Sequence, residues 1–303
     1  GLFNGIAIGA GVVTGKYFGA GDSGNLKRSI HTTIIFGLAC GVILTIAGVL
    51  AAPRILVLMG TPDEVLPQSL AYFRVYFAGS LAFVMYNFFV GILQALGDSR
   101  HPLFFLIISS FTNIALDLLF VGAIGMGVWS AAFATVISQF LSASLCLYQL
   151  VKGNEAFRLK VREIRPDTQM LRQIVKNGVP AGIQNSIISV ANVFVQSNIN
   201  AFGATAVAGC GSYSKIEGFG FLPITCFALA LTTFISQNLG AREYERAKKG
   251  AVFGAVCSLT IAEIIGLVIN LLAPVLTGAF GGGPEAVSYG VQWARTVTWF
   301  YFL

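Results

Sequence analysis

Asn113 and Asp117 interrupt an otherwise apolar run that extends from Pro102 to about Val121. A carboxylate near the middle of a membrane-spanning helix costs about 2.5–3.5 kcal/mol on insertion scales, so by default it faces a protein interior and carries a task. The i, i+4 spacing puts both residues on one helical face, and Ser110 extends the stripe three residues earlier. Glu263 is the other acid in the middle of an apolar run; it either draws a cationic molecule into a cavity or pairs with a polar neighbour. Two further stripes recur at helical spacing: Thr135, Ser138, Gln139 and Ser142, then Asn185, Ser189, Asn192 and Gln196. These are either interhelical glue, worth about 0.6 kcal/mol per hydrogen bond, or the wall of a hydrated cavity. His31 and His101 lie at the ends of apolar runs, and the five cysteines lack CxxC spacing. No metal set or nucleophile triad is legible, so an integral-membrane enzyme is the weakest functional class.

The elements that must position these residues follow from composition. The chain of 303 residues is 55% hydrophobic and only 11% charged, with 35 Gly. Soluble domains carry about 25% charged residues, so the class is all-α integral membrane protein. Apolar runs fall at roughly 1–16, 28–52, 67–96, 103–124, 127–151, 173–201, 208–239, 248–274 and 286–303. Lys16, Lys27 and Arg28, then Arg100, the basic residues from Lys152 to Lys176, and Arg242 to Lys249 fall in alternate connections. The intervening connections hold no Lys or Arg, so the basic ones are expected on the cytoplasmic side and nine crossings are expected. The net charge of +6 is thereby loop anchoring, which excludes nucleic acid as the partner and leaves the lipid bilayer.

The connection from Lys152 to Lys176 is the longest. Phe157–Arg165 alternates apolar and charged residues, as an extended interfacial segment does, and Pro166-Asp167 offers a helix start. The expected division is a first lobe over 1–155, a linker over 156–172 and a second lobe over 173–303. A shift of 221 residues superposes Gly19-Ala20 on Gly240-Ala241, Lys27 on Lys248, Ala52-Pro53 on Ala273-Pro274 and Arg74 on Arg295. Collinear matches over more than fifty residues indicate a duplication. Six runs separate equivalent points, an even number, so the repeats share one orientation, as in parallel-repeat transporters of two six-helix lobes. The chain opens and closes inside apolar runs, so a piece of a twelve-helix protein is expected. It would hold helices two to ten, the first and last of these in part.

Several motifs together resemble the MATE (multidrug and toxic compound extrusion) family. They are Gly15-Lys16-Tyr17-Phe18-Gly19-Ala20-Gly21-Asp22 with its counterpart Ser236-Gln237-Asn238-Leu239-Gly240-Ala241, and Gln94-Ala95-Leu96-Gly97-Asp98-Ser99-Arg100-His101-Pro102. Asn113-x-x-Leu116-Asp117, Gly125-x-Gly127 with Ala131-Ala132-x-Ala134-Thr135, and Asn177-Gly178-Val179-Pro180 complete the set. The resemblance implies two bundles of six helices and efflux of organic cations or amphiphilic drugs, driven by Na⁺ or H⁺ entry through alternating access. It implies no cofactor, a monomer, and a multi-pass location in a bacterial inner membrane.

The resemblance further implies a cation site at Asn113, Asp117 and Thr135, completed by an acid on a helix that precedes this chain. Depth agrees: counted from the short turn near Gly125, Asp117 and Thr135 both lie roughly 10–12 Å down their helices at 1.5 Å per residue. Asp117 would alternate between holding a cation and being neutral, and Asn113 and Thr135 would supply the neutral oxygens that Na⁺ prefers. The competing reading makes Asp117 a structural acceptor that ties the two helices. Ser110, Ser138, Gln139, Gln184, Asn185, Ser189, Asn192 and Glu263 are the expected cavity-lining residues. Some family members carry Glu where Gln184 stands, so its absence argues against a second carboxylate site on that helix. The alternative function is a lipid-linked oligosaccharide flippase of the same superfamily, against which the scarcity of mid-membrane Lys and Arg counts.

Overall fold

The structure, a computed structural model, describes residues 2–58, 64–153, 158–159, 164–281 and 283–301. Long apolar segments must satisfy every backbone N–H and C=O within themselves, which selects helix. No strand occurs among the described residues. The helices are α1 (Leu2–Gly19), α2 (Ser23–Leu58), α3 (Leu66–Ala78), α4 (Ser80–Ala95), α5 (Arg100–Asp117), α6 (Trp129–Lys152), α7 (Thr168–Asn200), α8 (Ala204–Gly240), α9 (Tyr244–Ala279) and α10 (Gly283–Val297). A π-helical turn, Leu118–Ala123, continues α5, and a 3₁₀ turn, Thr298–Phe300, continues α10.

Each of the nine apolar runs holds a helix. By length and apolarity, six single helices qualify as membrane spans, and α3 with α4, bent by 42° at Gly79, makes a seventh if counted as one. The expectation of nine crossings is therefore narrowed to six or seven on that measure, with α1 and α10 only 18 and 15 residues long. The helices also outrun the apolar segments. Lys27 and Arg28 ride on the opening turns of α2, Arg172 and Lys176 on α7, and Arg246, Lys248 and Lys249 on α9. Most of the basic residues assigned to connections therefore sit on helix ends. Lys215 and Glu217 likewise stand well inside α8, which begins at Ala204.

Contacts divide the chain into two compact units, Gly1–Asn185 and Ser186–Leu303. In the first, α4 packs against α1, α2 and α6, while α5 packs on α6. One apolar cluster joins Leu26, Ile30 and Ile34 of α2 to Phe89, Ile92 and Leu93 of α4 and Cys146 and Leu150 of α6. In the second, α8, α9 and α10 pack on one another around the fully buried Tyr213. Much of the segment expected to lie extended at the interface, residues 157 and 160–163, falls outside the described residues. Of its neighbours, Leu159 is buried and donates its N–H to Leu150 O at 3.0 Å. Asp167 then caps α7, accepting from the N–H groups of Gln169 (2.9 Å) and Met170 (3.0 Å).

The duplication is visible at the level of single hydrogen bonds. The bounds of α2 displaced by 221 are those of α9, and the ends of α1 and α8 are related in the same way. In the first α1–α2 turn, Ala20, Gly21, Asp22 and Leu26 donate to the carbonyls of Lys16, Phe18, Tyr17 and Asp22. In the second, Ala241, Arg242, Glu243 and Ala247 donate to Gln237, Leu239, Asn238 and Glu243, the same set displaced by 221. Gly21 has φ 68° and Arg242 has φ 62°. The left-handed region costs a residue with a Cβ about 1–2 kcal/mol and costs glycine nothing. Glycine's larger unfolded entropy offsets roughly half of that. Arg242→Gly is therefore expected to raise thermal stability by up to about 1 kcal/mol, read as a higher melting temperature in detergent. A lower one would show that the arginine side chain contributes more than its backbone costs.

Asp22 closes the first of these turns. Its carboxylate accepts from the backbone N–H of Asn25 at 3.0 Å and from the Asn25 side-chain amide at 2.7 Å. Those donors hold the Asp22 carboxyl below its usual range. The cap's contribution is thus complete above the ordinary Asp pKa and is lost as pH falls through the lowered folded value.

Candidate functional site

The site begins with the way α5 ends. Regular α-helix stops at Asp117, and the next six residues form the π-helical turn, closed by Ile124 N–H donating to Leu119 O at 2.9 Å. Single π turns inside helices are rare and recur at functional sites, because the widened turn re-aims the side chains next to it. No residue in Leu118–Ala123 signals this turn in the sequence.

Across from α5, α6 runs antiparallel after the short connection at Gly125. Asn113 is half-buried, and its amide nitrogen donates to Thr135 Oγ1 at 3.5 Å, the outer limit for such a bond. Thr135 Oγ1 donates in turn to Ala131 O at 3.0 Å. That bond uses the Asn113 amide nitrogen and leaves Oδ1 as an acceptor. One turn further on, Asp117 is half-buried, and its Oδ1 is fully shielded with no hydrogen-bond partner among the described residues. Gln139 Oε1, one turn from Thr135 on α6, is in the same condition. No Lys, Arg or His forms an ion pair with Asp117 among the described residues. A shielded carboxylate oxygen without a donor costs of the order of 1–3 kcal/mol or more, so it calls for an explanation.

The other expected residues distribute as follows. Ser138 is buried, and its hydroxyl is spent on Ala134 O at 2.9 Å; Ser110 is exposed, while its neighbour Ser109 is buried and donates to Leu106 O at 3.2 Å. Gln184 is exposed on α7 and Asn185 half-buried in the first unit, while Ser189 and Asn192 are exposed in the second. Glu263 is on α9 and lines a cavity of about 260 Å³ with Asn270, Thr298 and Trp299, three residues that sequence reading passed over. It also missed the paired phenols of Tyr213 and Tyr301, whose hydroxyls lie 2.8 Å apart, with Tyr213 donating to Glu217 at 3.3 Å. A buried pair 88 residues apart leaves no local sequence signal. Asn113, Asp117, Thr135 and Gln139 thus form one polar stripe between two apolar helices, with one acid and no base.

The MatE family model matches residues 1–119 and 180–303. The probable multidrug resistance protein YoeA of Bacillus subtilis is 28% identical over 306 residues, covering 99% of this chain and 66% of the relative. The probable multidrug resistance protein YpnP of the same organism is 26% identical over 268 residues, covering 88% of this chain and 59% of the relative. The chain thus spans less than two thirds of the length of these curated relatives. A crystal structure of a MATE protein in the bent conformation superposes with a TM-score of 0.90 at 27% identity, covering 99% of this chain and 67% of that one.

Proposed function

This chain belongs to the MatE family, and from that premise we propose that it serves multidrug efflux by cation-coupled antiport. A cation, Na⁺ or H⁺, enters as an organic cation or amphiphile leaves, by transport and without catalysis. The basic helix ends face the cytoplasm, and the membrane is a bacterial inner membrane. The names of the relatives support export of small molecules, and the all-helical fold with six or seven apolar spans supports a membrane location.

The observation that carries the coupling is the shielded, partnerless Oδ1 of Asp117 beside the Asn113–Thr135 contact. A cation at Asp117 neutralises a charge that the apolar surroundings penalise, and in this proposal Asn113 Oδ1 and Thr135 Oγ1 supply neutral oxygens to a hard monovalent ion held there. A proton does the same by making the carboxyl neutral. Either event shifts the balance between two packings of α5 on α6, and the π turn after Asp117 is the element able to absorb that change. A ligand moves such an equilibrium only by its differential affinity for the two states, which a buried charge supplies.

The test is efflux of a fluorescent organic cation from proteoliposomes containing the whole transporter, driven by an imposed Na⁺ gradient or an imposed pH gradient. One gradient is expected to accelerate efflux, and collapsing it with the matching ionophore to return efflux to leak. Efflux indifferent to both gradients would overturn antiport.

A further inference from the structure

We propose that the second unit carries a separate binding subsite for the ammonium group of amphiphilic molecules, centred on Glu263 and Trp299. The subsite is independent of the Asp117 site and stands or falls on its own evidence.

The argument starts from the duplication. With the 221-residue displacement fixed by paired hydrogen bonds, every residue of α9 and of the 3₁₀ turn has a counterpart in α2 and around the α3–α4 break. Ile264 and Leu267, which wall the cavity, correspond to Ile43 and Ile46, so there the apolar character is kept. Glu263, Asn270, Thr298 and Trp299 correspond to Val42, Val49, Phe77 and Ala78. The first copy folds with apolar side chains at all four places, so helix packing does not require the polar ones. Among the positions where the second copy is polar and the first apolar, Glu263, Asn270 and Thr298 line one cavity, joined there by Trp299 in place of Ala78. A further change lets the 3₁₀ turn pack close against α9: Thr45 becomes Gly266, where an added Cβ would lie 2.8 Å from Thr298 O.

The chemistry of the lining selects the ligand. Glu263 and Asn270 are seven residues apart, two turns along one face of α9. Asn270 donates to Thr298 Oγ1 at 2.9 Å, and Thr298 donates to Ala294 O at 2.8 Å, so this pair braces the turn that presents Trp299. Trp299 and Glu263 line the same cavity, so an indole and a carboxylate share a mostly apolar lining. A bare metal ion needs about six oxygens at short range. The cavity offers one carboxylate and an amide already engaged, and no metal-ligating group of three acids, cysteines or histidines occurs among the described residues. An organic ammonium is matched instead. Its charge meets Glu263, its methyl or methylene shell meets the indole face in a cation–π contact, and its apolar remainder lies along Ile264 and Leu267. A volume of about 260 Å³ admits a head group with one ring and leaves a longer chain outside. The same head group is found on soluble cationic amphiphiles and on amine-bearing lipids.

The test is a titration of Trp299 emission in the whole transporter in maltoside detergent, with every other tryptophan, Trp129 and Trp293 included, replaced by Phe. Benzyltrimethylammonium chloride is one probe and neopentylbenzene, its uncharged isostere, the other. Glu263→Gln is expected to weaken binding of the cation at least tenfold and to leave the isostere unchanged, which also shows that the cavity is intact. Glu263→Val, the residue type that the first copy carries, is expected to behave like Glu263→Gln and serves if the amide misfolds. Asp117→Asn is expected to bind the cation as before, which separates this subsite from the proposed antiport. Wild-type affinity for the cation in both Glu263 variants, or its loss in Asp117→Asn alone, would overturn the assignment. Phosphatidylethanolamine and phosphatidylglycerol are then added as competitors. Displacement by the first alone identifies a lipid amine as the occupant, and no displacement identifies a soluble amphiphile; both sustain the ammonium chemistry.

Discussion

Asp117→Asn is expected to abolish gradient-driven efflux while leaving the protein in the membrane at wild-type abundance. The substitution keeps shape and one acceptor oxygen and removes only the charge. At contact distance, about 2.4 Å, a carboxylate and a monovalent cation attract by about 7 kcal/mol at an effective dielectric of 20. Losing even half of that lowers cation affinity by more than about 100-fold, at roughly 1.4 kcal/mol per tenfold. A proton fares no better, because an amide has no ionised form to exchange. Stability should move the other way. Asp117 Oδ1 is shielded without a partner, and insertion of a mid-span Asp costs about 2.5–3.5 kcal/mol, so the neutral variant is expected to melt at or above the wild-type temperature. That split separates coupling from scaffolding. If Asp117 merely tied α5 to α6, the variant would lose thermal stability and keep whatever transport its folded fraction supports. Wild-type efflux in a fully folded Asp117→Asn protein would remove the site from the mechanism.

The sequence already pointed to this stripe, for reasons that are physical. A charge in an apolar run is conspicuous, i, i+4 spacing fixes a face, and a short turn between two runs fixes depth; that count set Asp117 level with Thr135, whereas the contact in the structure is between Thr135 and Asn113, one turn earlier, at 3.5 Å. The duplication was equally legible, because turn glycines, prolines and basic helix ends carry it. What could not be read was anything set by backbone geometry without a marker residue. The π turn at Leu118–Ala123 is spelled in ordinary apolar letters. The Glu263 cavity was half legible: the acid stood out, whereas Asn270, Thr298 and Trp299 join it only through the packing of α9 against the 3₁₀ turn. Helix ends were misjudged for a related reason. Hydropathy marks where the lipid ends, and helices such as α2 and α9 continue past it in basic and polar residues.

One signal was present and overlooked, and it leads to the largest expected effect on stability. Gly5 and Gly9 on α1, and Gly178 and Gly182 on α7, are two Gly-x-x-x-Gly pairs within the first unit, and the structure lays one against the other. A Cβ added at Gly9 would fall on the backbone of Gly178 and lie 2.8 Å from Ile174 O, and one added at Gly178 would lie 2.7 Å from Ile6 Cα. Carbon atoms in contact need about 3.5 Å, and the obstacles are backbone, so no rotamer change relieves them. The helices must separate, and in lipid, where apolar association gains little from burial, close packing of backbones is itself what joins them. Gly9→Ala and Gly178→Ala are each expected to cost about 1–3 kcal/mol, and Gly9→Leu to leave little monodisperse protein. Gly211→Ala on α8 is the internal control. Nothing lies within 4 Å of its added Cβ, and alanine gains up to about 1 kcal/mol of helix propensity over glycine, so that variant should melt no lower than wild type. The two α1–α7 alanine substitutions should also fail to add. Once the first has pushed the helices apart the second meets less resistance, so the double variant is expected to lose less than the sum of the single losses. Full additivity in a thermal melt would mean that the two glycines are not sharing one interface.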